Sequence, residues 1–236
     1  MCGRITQVAS EQEIEEAFSA TREGTEGIYR VNYNLGPLQR AAVIGQRDGA
    51  RVLRMLRWGL VPGWVRDADA AKKMAAMCVN ARAEGIETKP AFRAAFARRR
   101  SIVPASGYFE WARVGGHKQP YYFYATAGTL LALAGIWERW RDPSTGEELR
   151  TFSLVTTEPN AVAARVHDRM PVILGREDWD AWLAPHTSPD ALHALLHPCP
   201  DDWLAAHRVS RDVGDVRNNA PTLIAPIDGE RPARAS

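Results

Sequence analysis

Short apolar runs separated by turn residues dominate the sequence and predict many strands. The runs rich in β-branched and aromatic residues are ARVLRMLRWGLVP, SIVPASGYFEW, KQPYYFYAT, LLALAGIWERW, TFSLVTT and MPVIL. A turn in VGGHKQ joins the second run to the third, and RDPSTGEEL predicts a hairpin loop after the fourth. GRITQ predicts a further short strand near the start of the chain.

Helices are predicted at fewer places, each with a recognisable start. Ser10 and Glu13 form a capping-box pattern before EQEIEEAF. AFRAAFARRR has its apolar residues at helical spacing, and EPNAVAARVH has Pro159 near its start. REDWDAWL and SPDALHALL predict two more helices, the second beginning at Ser188 and Pro189. Many strands with a few helices and no central break indicate one α+β domain, mostly antiparallel.

Composition argues against several classes of protein but does not indicate a function. The chain has 236 residues, 45% of them hydrophobic, a net charge of +2 and three cysteines. The small net charge gives no argument for nucleic acid or membrane, although a local basic cluster still could. The cysteines are too few and scattered for a disulfide framework or a zinc site. With no signal peptide and no run long enough to cross a bilayer, we expect an intracellular, soluble protein.

Cys2 directly follows the initiator methionine in MCGRITQ. Methionine removal would leave Cys2 as the first residue, with an amine and a thiol on adjacent carbons. The amine can form a Schiff base with an aldehyde, and the thiol can then close a thiazolidine ring. On position alone, the simpler interpretation is a cysteine that happens to be second.

Three further positions could carry chemistry, each with a plainer alternative. Asn80 and Arg82 share one face of a predicted strand. The Asn80 amide can hold a sugar hydroxyl and the Arg82 guanidinium can bind a phosphate. The plainer alternative is that both are polar residues at a strand edge. Glu110 lies between two aromatic residues, which predicts either a raised pKa suited to proton transfer or a solvent-facing side chain. His167 suits acid–base work or a helix end, and Arg169 could meet phosphate or Asp168.

The tryptophans of RWGLVPGWV flank a loop that contains Gly and Pro. An exposed Trp64 could stack on bases, whereas Trp58 is the better candidate for the core.

Five ordered motifs, MCGR, WGLVPGW, NARAE, PASGYFEW and HDRMPVIL, together resemble the SRAP family of SOS response-associated peptidase-like proteins. The resemblance runs over residues 2–225 and leaves 226–236 as a C-terminal tail. It implies a barrel-like core with peripheral helices and a basic DNA-binding groove. YNLGPLQ departs from the family pattern at Gly36 and Leu38.

The resemblance also implies a function. Such proteins bind abasic (AP) sites in single-stranded DNA, including single-strand/duplex junctions, and crosslink to the lesion through the N-terminal cysteine as a thiazolidine. It assigns catalytic roles to Cys2, Asn80, Glu110 and His167. The positions that it assigns to DNA contact are Arg4, Trp64, Arg82 and Arg169.

From this we expect protection of AP sites in the DNA damage response, some AP lyase activity and slow reversal. We expect no metal, no cofactor and no membrane partner, a monomer, and a location in the cytoplasm or at the nucleoid. The alternative enzyme is an N-terminal-nucleophile cysteine peptidase or amidase. In it Cys2 would be the nucleophile, His167 the base and Glu110 the acid that orients the base. A non-catalytic single-strand binder is a third hypothesis.

Overall fold

The structure of the chain is a computed structural model that describes residues 2–227. The strands are β1 (Ile5–Gln7), β2 (Ala20–Arg22), β3 (Asn32–Leu35), β4 (Arg40–Arg47), β5 (Ala50–Trp58), β6 (Asn80–Arg82), β7 (Arg100–Ala105), β8 (Gly107–Val114), β9 (His117–Ala125), β10 (Leu131–Arg141), β11 (Glu148–Thr157), β12 (Met170–Pro171) and β13 (Leu204–Arg208). The helices are α1 (Glu11–Phe18), α2 (Ala68–Met77), α3 (Arg93–Arg98), α4 (Ala161–Ala164), α5 (Trp179–Leu183) and α6 (Pro189–Ala194).

A closed ring of strands forms the barrel core. The order β11-β10-β7-β4-β5 returns to β11 through a parallel pairing in which Arg57 lies opposite Thr151. Three short strands extend the sheet of this ring, with β2 pairing to β5 and both β6 and β12 pairing to β11. A second sheet, β13-β9-β8-β1-β3, packs beside the barrel, and most pairings are antiparallel. The predicted single α+β domain with a barrel-like core and peripheral helices is confirmed.

Two predicted elements differ from the structure in their extent. SIVPASGYFEW forms two strands, because the chain leaves the barrel after β7 and enters the second sheet at β8. Ser106 sits at this crossing, where its amide donates to the Thr6 carbonyl and its Oγ accepts from the Val8 amide. MPVIL pairs only as the two residues of β12, followed by an isolated bridge at Ile173.

The predicted boundary at residue 225 stays a prediction. Pro226 still bridges to Val209, and the Ile227 amide donates to the Arg208 carbonyl at 3.1 Å. The rest of the predicted tail, 228–236, lies outside the described residues, as does Met1.

Gly107 occupies the closest approach of backbone between β8 and its neighbour β9. A Cβ added there would collide with the Phe123 carbonyl oxygen and the Tyr122 ring. We therefore expect Gly107→Ala to destabilise the protein by about 1–3 kcal/mol, the usual cost of overpacking. Urea unfolding measures this, with Gly45→Ala in β4 as the control, since a Cβ there meets nothing within 4 Å. Equal unfolding midpoints for the two variants would contradict the prediction.

Candidate functional site

The four expected catalytic residues converge at one place, although they come from four segments of the chain. Cys2 precedes β1, Asn80 begins β6, Glu110 lies in β8, and His167 follows α4. Asn80 Nδ2 donates to the Cys2 carbonyl at 2.8 Å. His167 Nε2 lies 3.9 Å from Glu110 Oε2. The pairing of β1 with β8 brings Glu110 alongside the chain that leads to Cys2, because Ile5 lies opposite Tyr108.

The Cys2 side chain is fully buried in the apolar core between the barrel and the second sheet. Burial raises the pKa of its thiol far above the usual range, and the negative charge of Glu110 raises that pKa further. A hydrogen bond from the Arg4 backbone amide acts in the opposite direction. The thiol is therefore held in its neutral form at neutral pH.

Glu110 is a buried carboxyl group, only 3% exposed. Burial raises the pKa of Glu110, because desolvation penalises the carboxylate, while the charge of His167 lowers that pKa. A carboxyl group whose proton is retained to higher pH can act as a proton donor closer to neutrality.

His167 has a different hydrogen-bond partner for each protonation state. Its Nδ1 lies 3.0 Å from the Arg169 backbone amide and 2.9 Å from Asp168 Oδ1. A neutral ring without a proton on Nδ1 accepts from the Arg169 amide, whereas a protonated ring donates to Asp168. The His167 backbone is fixed by its amide, which donates to the Ala163 carbonyl at 3.0 Å. This arrangement accommodates both forms of an acid–base group.

Only one of the two polar side-chain atoms of Asn80 is hydrogen-bonded within residues 2–227. Its Nδ2 holds Cys2, while its Oδ1 is buried and has no hydrogen-bond partner among residues 2–227. A buried acceptor without a partner is costly, and this one lies next to Cys2.

Two of the expected DNA contacts are accessible. Arg82 is exposed and lies two residues beyond Asn80 in β6. Trp64 is 57% exposed, whereas Trp58 is fully buried, so the plainer interpretation of Trp58 is confirmed. The loop that carries Trp64 is fixed by the Trp140 ring, whose Nε1 donates to the Val65 carbonyl at 2.8 Å.

The other two expected contacts have their guanidinium groups occupied within the protein. Arg169 donates to both carboxylate oxygens of Glu84, at 2.6 and 2.8 Å, and to the Thr156 carbonyl at 2.7 Å. Arg4 is 9% exposed, and its Nη1 donates to Asn34 Oδ1 at 2.5 Å and to the Val213 carbonyl at 2.8 Å. The structure therefore brings Arg82 and Trp64 to the surface and leaves Arg4 inside.

Reasoning from the sequence missed Glu84 and Asn34. Glu84 stands in the motif NARAE, but only the fold reveals that it neutralises Arg169. Asn34 stands in YNLGPLQ, where a buried strand residue with an amide side chain is the only signal. Both residues act through partners that are distant in the sequence.

Among residues 2–227, no group of three or more His, Cys, Asp or Glu side chains could hold a metal ion. Nor do these residues contain a helix that is both long and apolar enough to cross a bilayer. All three cysteines are free and buried.

The fold and the site define an α+β domain with a barrel core, in which Cys2, Asn80, Glu110 and His167 form one cluster. A sequence profile described as SOS response associated peptidase (SRAP) matches residues 1–216. The chain belongs to the SRAP family.

Relatives agree over nearly the whole chain. The abasic site processing protein YoqW of Bacillus subtilis (strain 168) is 39% identical over 226 residues, covering 95% of this chain and 99% of the relative. The abasic site processing protein HMCES of Gallus gallus is 33% identical over 233 residues, covering 86% of this chain and 68% of the relative. A crystal structure of a protein from Bacteroides thetaiotaomicron superposes with a TM-score of 0.89 at 32% identity, covering 95% and 99% of the two chains.

Proposed function

We propose that this protein binds AP sites in single-stranded DNA, including single-strand/duplex junctions, and crosslinks to them through Cys2 after Met1 is removed. The product is a thiazolidine that shields the lesion in the DNA damage response. The observation that carries the proposal is the cluster itself, in which Asn80 holds the Cys2 backbone while Glu110 and His167 face each other at 3.9 Å. The names of the relatives YoqW and HMCES support the same substrate.

Cys2, Glu110 and His167 can supply both nucleophiles and every proton transfer that thiazolidine formation needs. His167 assists opening of the deoxyribose ring to its aldehyde, and the Cys2 amine adds to C1′ to give a carbinolamine. Glu110 protonates the carbinolamine oxygen, water leaves, and a protonated Schiff base remains beside the Glu110 carboxylate. The Cys2 sulfur then bonds to the same carbon, the C=N electron pair returns to nitrogen, and the thiol proton passes to Glu110.

The environment of the thiol suits this order of steps. A thiol whose pKa is raised by burial stays protonated until the Schiff base forms next to it. The Asn80 Oδ1 acceptor is placed to receive a hydrogen bond from a sugar hydroxyl. The Schiff base also permits β-elimination, so we infer a weaker AP lyase activity, and reversal by the same steps.

DNA would approach over the exposed Arg82 and Trp64. Trp64 offers a stacking surface, and Arg82 a phosphate contact beside Asn80. Arg169 would join them by exchanging the Glu84 carboxylate for a phosphate, since both present oxygens to the same guanidinium face.

The test is a denaturing gel with three single strands of one sequence, carrying an AP site, a tetrahydrofuran analogue that cannot open to an aldehyde, or no lesion. We expect a heat-stable, shifted band with the AP strand alone, and intact-protein mass spectrometry in which Cys2 is the first residue. A shifted band with the tetrahydrofuran strand, or full crosslinking by protein that retains Met1, would contradict the proposal. Equal retention of all three strands without a covalent band would indicate the single-strand binder instead.

The peptidase or amidase alternative needs a thiolate activated by His167. The raised pKa of the Cys2 thiol disfavours it, since nucleophilic cysteines of such enzymes have lowered pKa values. Cleavage of a fluorogenic peptide that depends on Cys2 would support that alternative.

Arg82→Ala should weaken non-covalent binding to the tetrahydrofuran strand and reduce the salt slope of log K by about 1, the effect of losing one phosphate contact. Fluorescence anisotropy over a range of salt concentrations measures both quantities. Arg47→Ala is the matched control, because Arg47 is an exposed arginine opposite Ala50 in the β4–β5 hairpin, at the end of β5 away from the loop that carries Trp64. An unchanged slope for Arg82→Ala, or an equal change for Arg47→Ala, would count against this contact.

A further inference from the structure

Asn34 is a buried amide whose polar atoms all have partners. The side chain is 1% exposed, and its Oδ1 accepts from Arg4 Nη1 at 2.5 Å. Its Nδ2 donates to the Asp215 carbonyl at 2.9 Å and to the Asn218 carbonyl at 3.0 Å. Asn34 therefore joins β3 to two segments far apart in the sequence, the start of the chain and residues 213–218.

Arg4 connects this junction to the nucleophile. It lies two residues after Cys2, and its backbone carbonyl accepts from the Phe109 amide at 2.9 Å, one residue before Glu110. Its guanidinium reaches away to Asn34 and to the Val213 carbonyl at 2.8 Å. The segment from Cys2 to Arg4 is thus held at its backbone by Asn80 and Phe109 and at its side chain by Asn34.

The surroundings of the guanidinium leave little room for a phosphate. A Cβ built on Gly36 would stand 3.4 Å from Arg4 Nε, and the ring of Trp111 lies 6.0 Å from the guanidinium carbon. Burial lowers the pKa of Arg4, and Asp215 raises it. No carboxylate among residues 2–227 forms an ion pair with Arg4 within 4.0 Å. Its Nη1 donates to Asn34 and to a backbone carbonyl, while its buried Nε has no hydrogen-bond partner among these residues.

A buried arginine in such surroundings is expensive for stability alone, because an apolar side chain of similar volume is often as stabilising or more so. Asn34 and the Val213 carbonyl instead fix the orientation of the Arg4 side chain, and therefore the path of the backbone at Cys2. Misplacing a nucleophile by about 1 Å can slow a reaction by about 100-fold.

We propose that Asn34 is a positioning residue for the N-terminal nucleophile, acting through Arg4, and that Arg4 itself serves this role rather than phosphate contact. This inference rests on the proposed function, because it concerns the geometry of the Cys2 crosslink. It also links the motif MCGR to YNLGPLQ and to the asparagine-containing segment VRNNAP, which meet only in the folded protein.

Single-turnover crosslinking at increasing concentrations of the AP strand separates positioning from DNA binding. We expect Asn34→Ala and Arg4→Met to lower the saturating rate by about tenfold to 100-fold, while the half-saturating DNA concentration changes by less than about twofold. The double variant should be no slower than the slower single variant, since both remove one contact. Asn34→Asp keeps the acceptor for Arg4 but puts an oxygen where Nδ2 donates to the Asp215 and Asn218 carbonyls, so it should recover only part of the rate.

The control variant is Asn219→Ala. Asn219 Oδ1 accepts from the Tyr33 amide, so it ties the same C-terminal segment to β3 without touching Arg4 or Asn34. It should crosslink as fast as the wild-type protein, and melting curves report the folded fraction of every variant. Where Asn34→Ala does not fold, Asn34→Asp and Arg4→Met carry the comparison.

Two failures are distinguishable. A wild-type protein that forms no crosslink overturns the proposed function. The positioning role is overturned if the wild-type protein crosslinks and Arg4→Met keeps its saturating rate but needs more DNA for half-saturation and has a lower salt slope. That result would show that Arg4 contacts phosphate. An unchanged saturating rate in folded Asn34→Ala also overturns the positioning role.

Discussion

Replacing Cys2 with alanine should abolish the heat-stable crosslink, lowering its yield by about two orders of magnitude or more, while leaving a Schiff base that borohydride can trap. Alanine at position 2 keeps an N-terminal amine after methionine removal but has no sulfur to close the ring. The Schiff base is then free to reverse or to undergo β-elimination, so we expect strand cleavage to increase as the stable adduct disappears. Denaturing gels with and without borohydride measure both products.

Cys78→Ala is the matched control for this experiment. Cys78 is also free and buried, at 5% exposure, but its sulfur contacts Met74 Sδ at 3.4 Å rather than the candidate site. Its variant should crosslink as the wild-type protein does. Loss of the band in Cys78→Ala, or its retention in Cys2→Ala, would show that the sulfur at position 2 is not the one that closes the ring.

Most strands and the motif residues could be predicted from the sequence because both depend on local patterns, whereas β2, β3, β4 and β13 were not predicted. The capping box at Ser10 is an example, since Ser10 accepts from the Glu13 amide and the Glu13 carboxylate accepts in return. Helix α2 escaped prediction because its buried face consists of small residues, Ala71 and Ala75, which give a weak apolar period.

The site was predictable as a set of residues but not as a geometry. Glu110 could face solvent or the interior by alternation alone, and only the pairing of β8 with β1 decides that it is buried. For the arginines, an exposed cation and a buried one look alike in the sequence. Arg82 and Arg4 differ because the Arg82 side chain faces solvent from β6, whereas Arg4 is covered by β3 and by residues 213–218.

Replacing Glu110 with glutamine should slow crosslinking by about 10²-fold to 10⁴-fold and change how the rate depends on pH. Glutamine cannot donate a proton to the departing water or accept one from the thiol. In the wild-type protein the rate should rise with pH as the Cys2 amine loses its proton and fall as Glu110 loses its own, giving a maximum. In Glu110→Gln only the rising limb should remain, and single-turnover rates across the pH range measure this.

The same substitution should stabilise the protein near neutral pH. The pKa of Glu110 is raised in the folded state because burial penalises the carboxylate. That penalty is absent below the pKa of the unfolded chain and reaches its full size as pH rises above the raised folded value. Glu110→Gln removes it, so the melting temperature of the variant should exceed that of the wild-type protein near neutrality and equal it in acid.

Glu84→Gln is a control that should change the melting temperature near neutral pH in the opposite direction. The hydrogen bond from Arg169 lowers the pKa of Glu84, so its carboxylate contributes stability above the unfolded pKa that is lost as pH falls through the folded value. The variant should melt slightly below the wild-type protein near neutrality, a small effect because the Glu84 side chain is 61% exposed. If Glu110→Gln instead melted lower at neutral pH and kept both limbs of the rate profile, Glu110 would be a structural carboxylate, and the proton transfers would belong to another group.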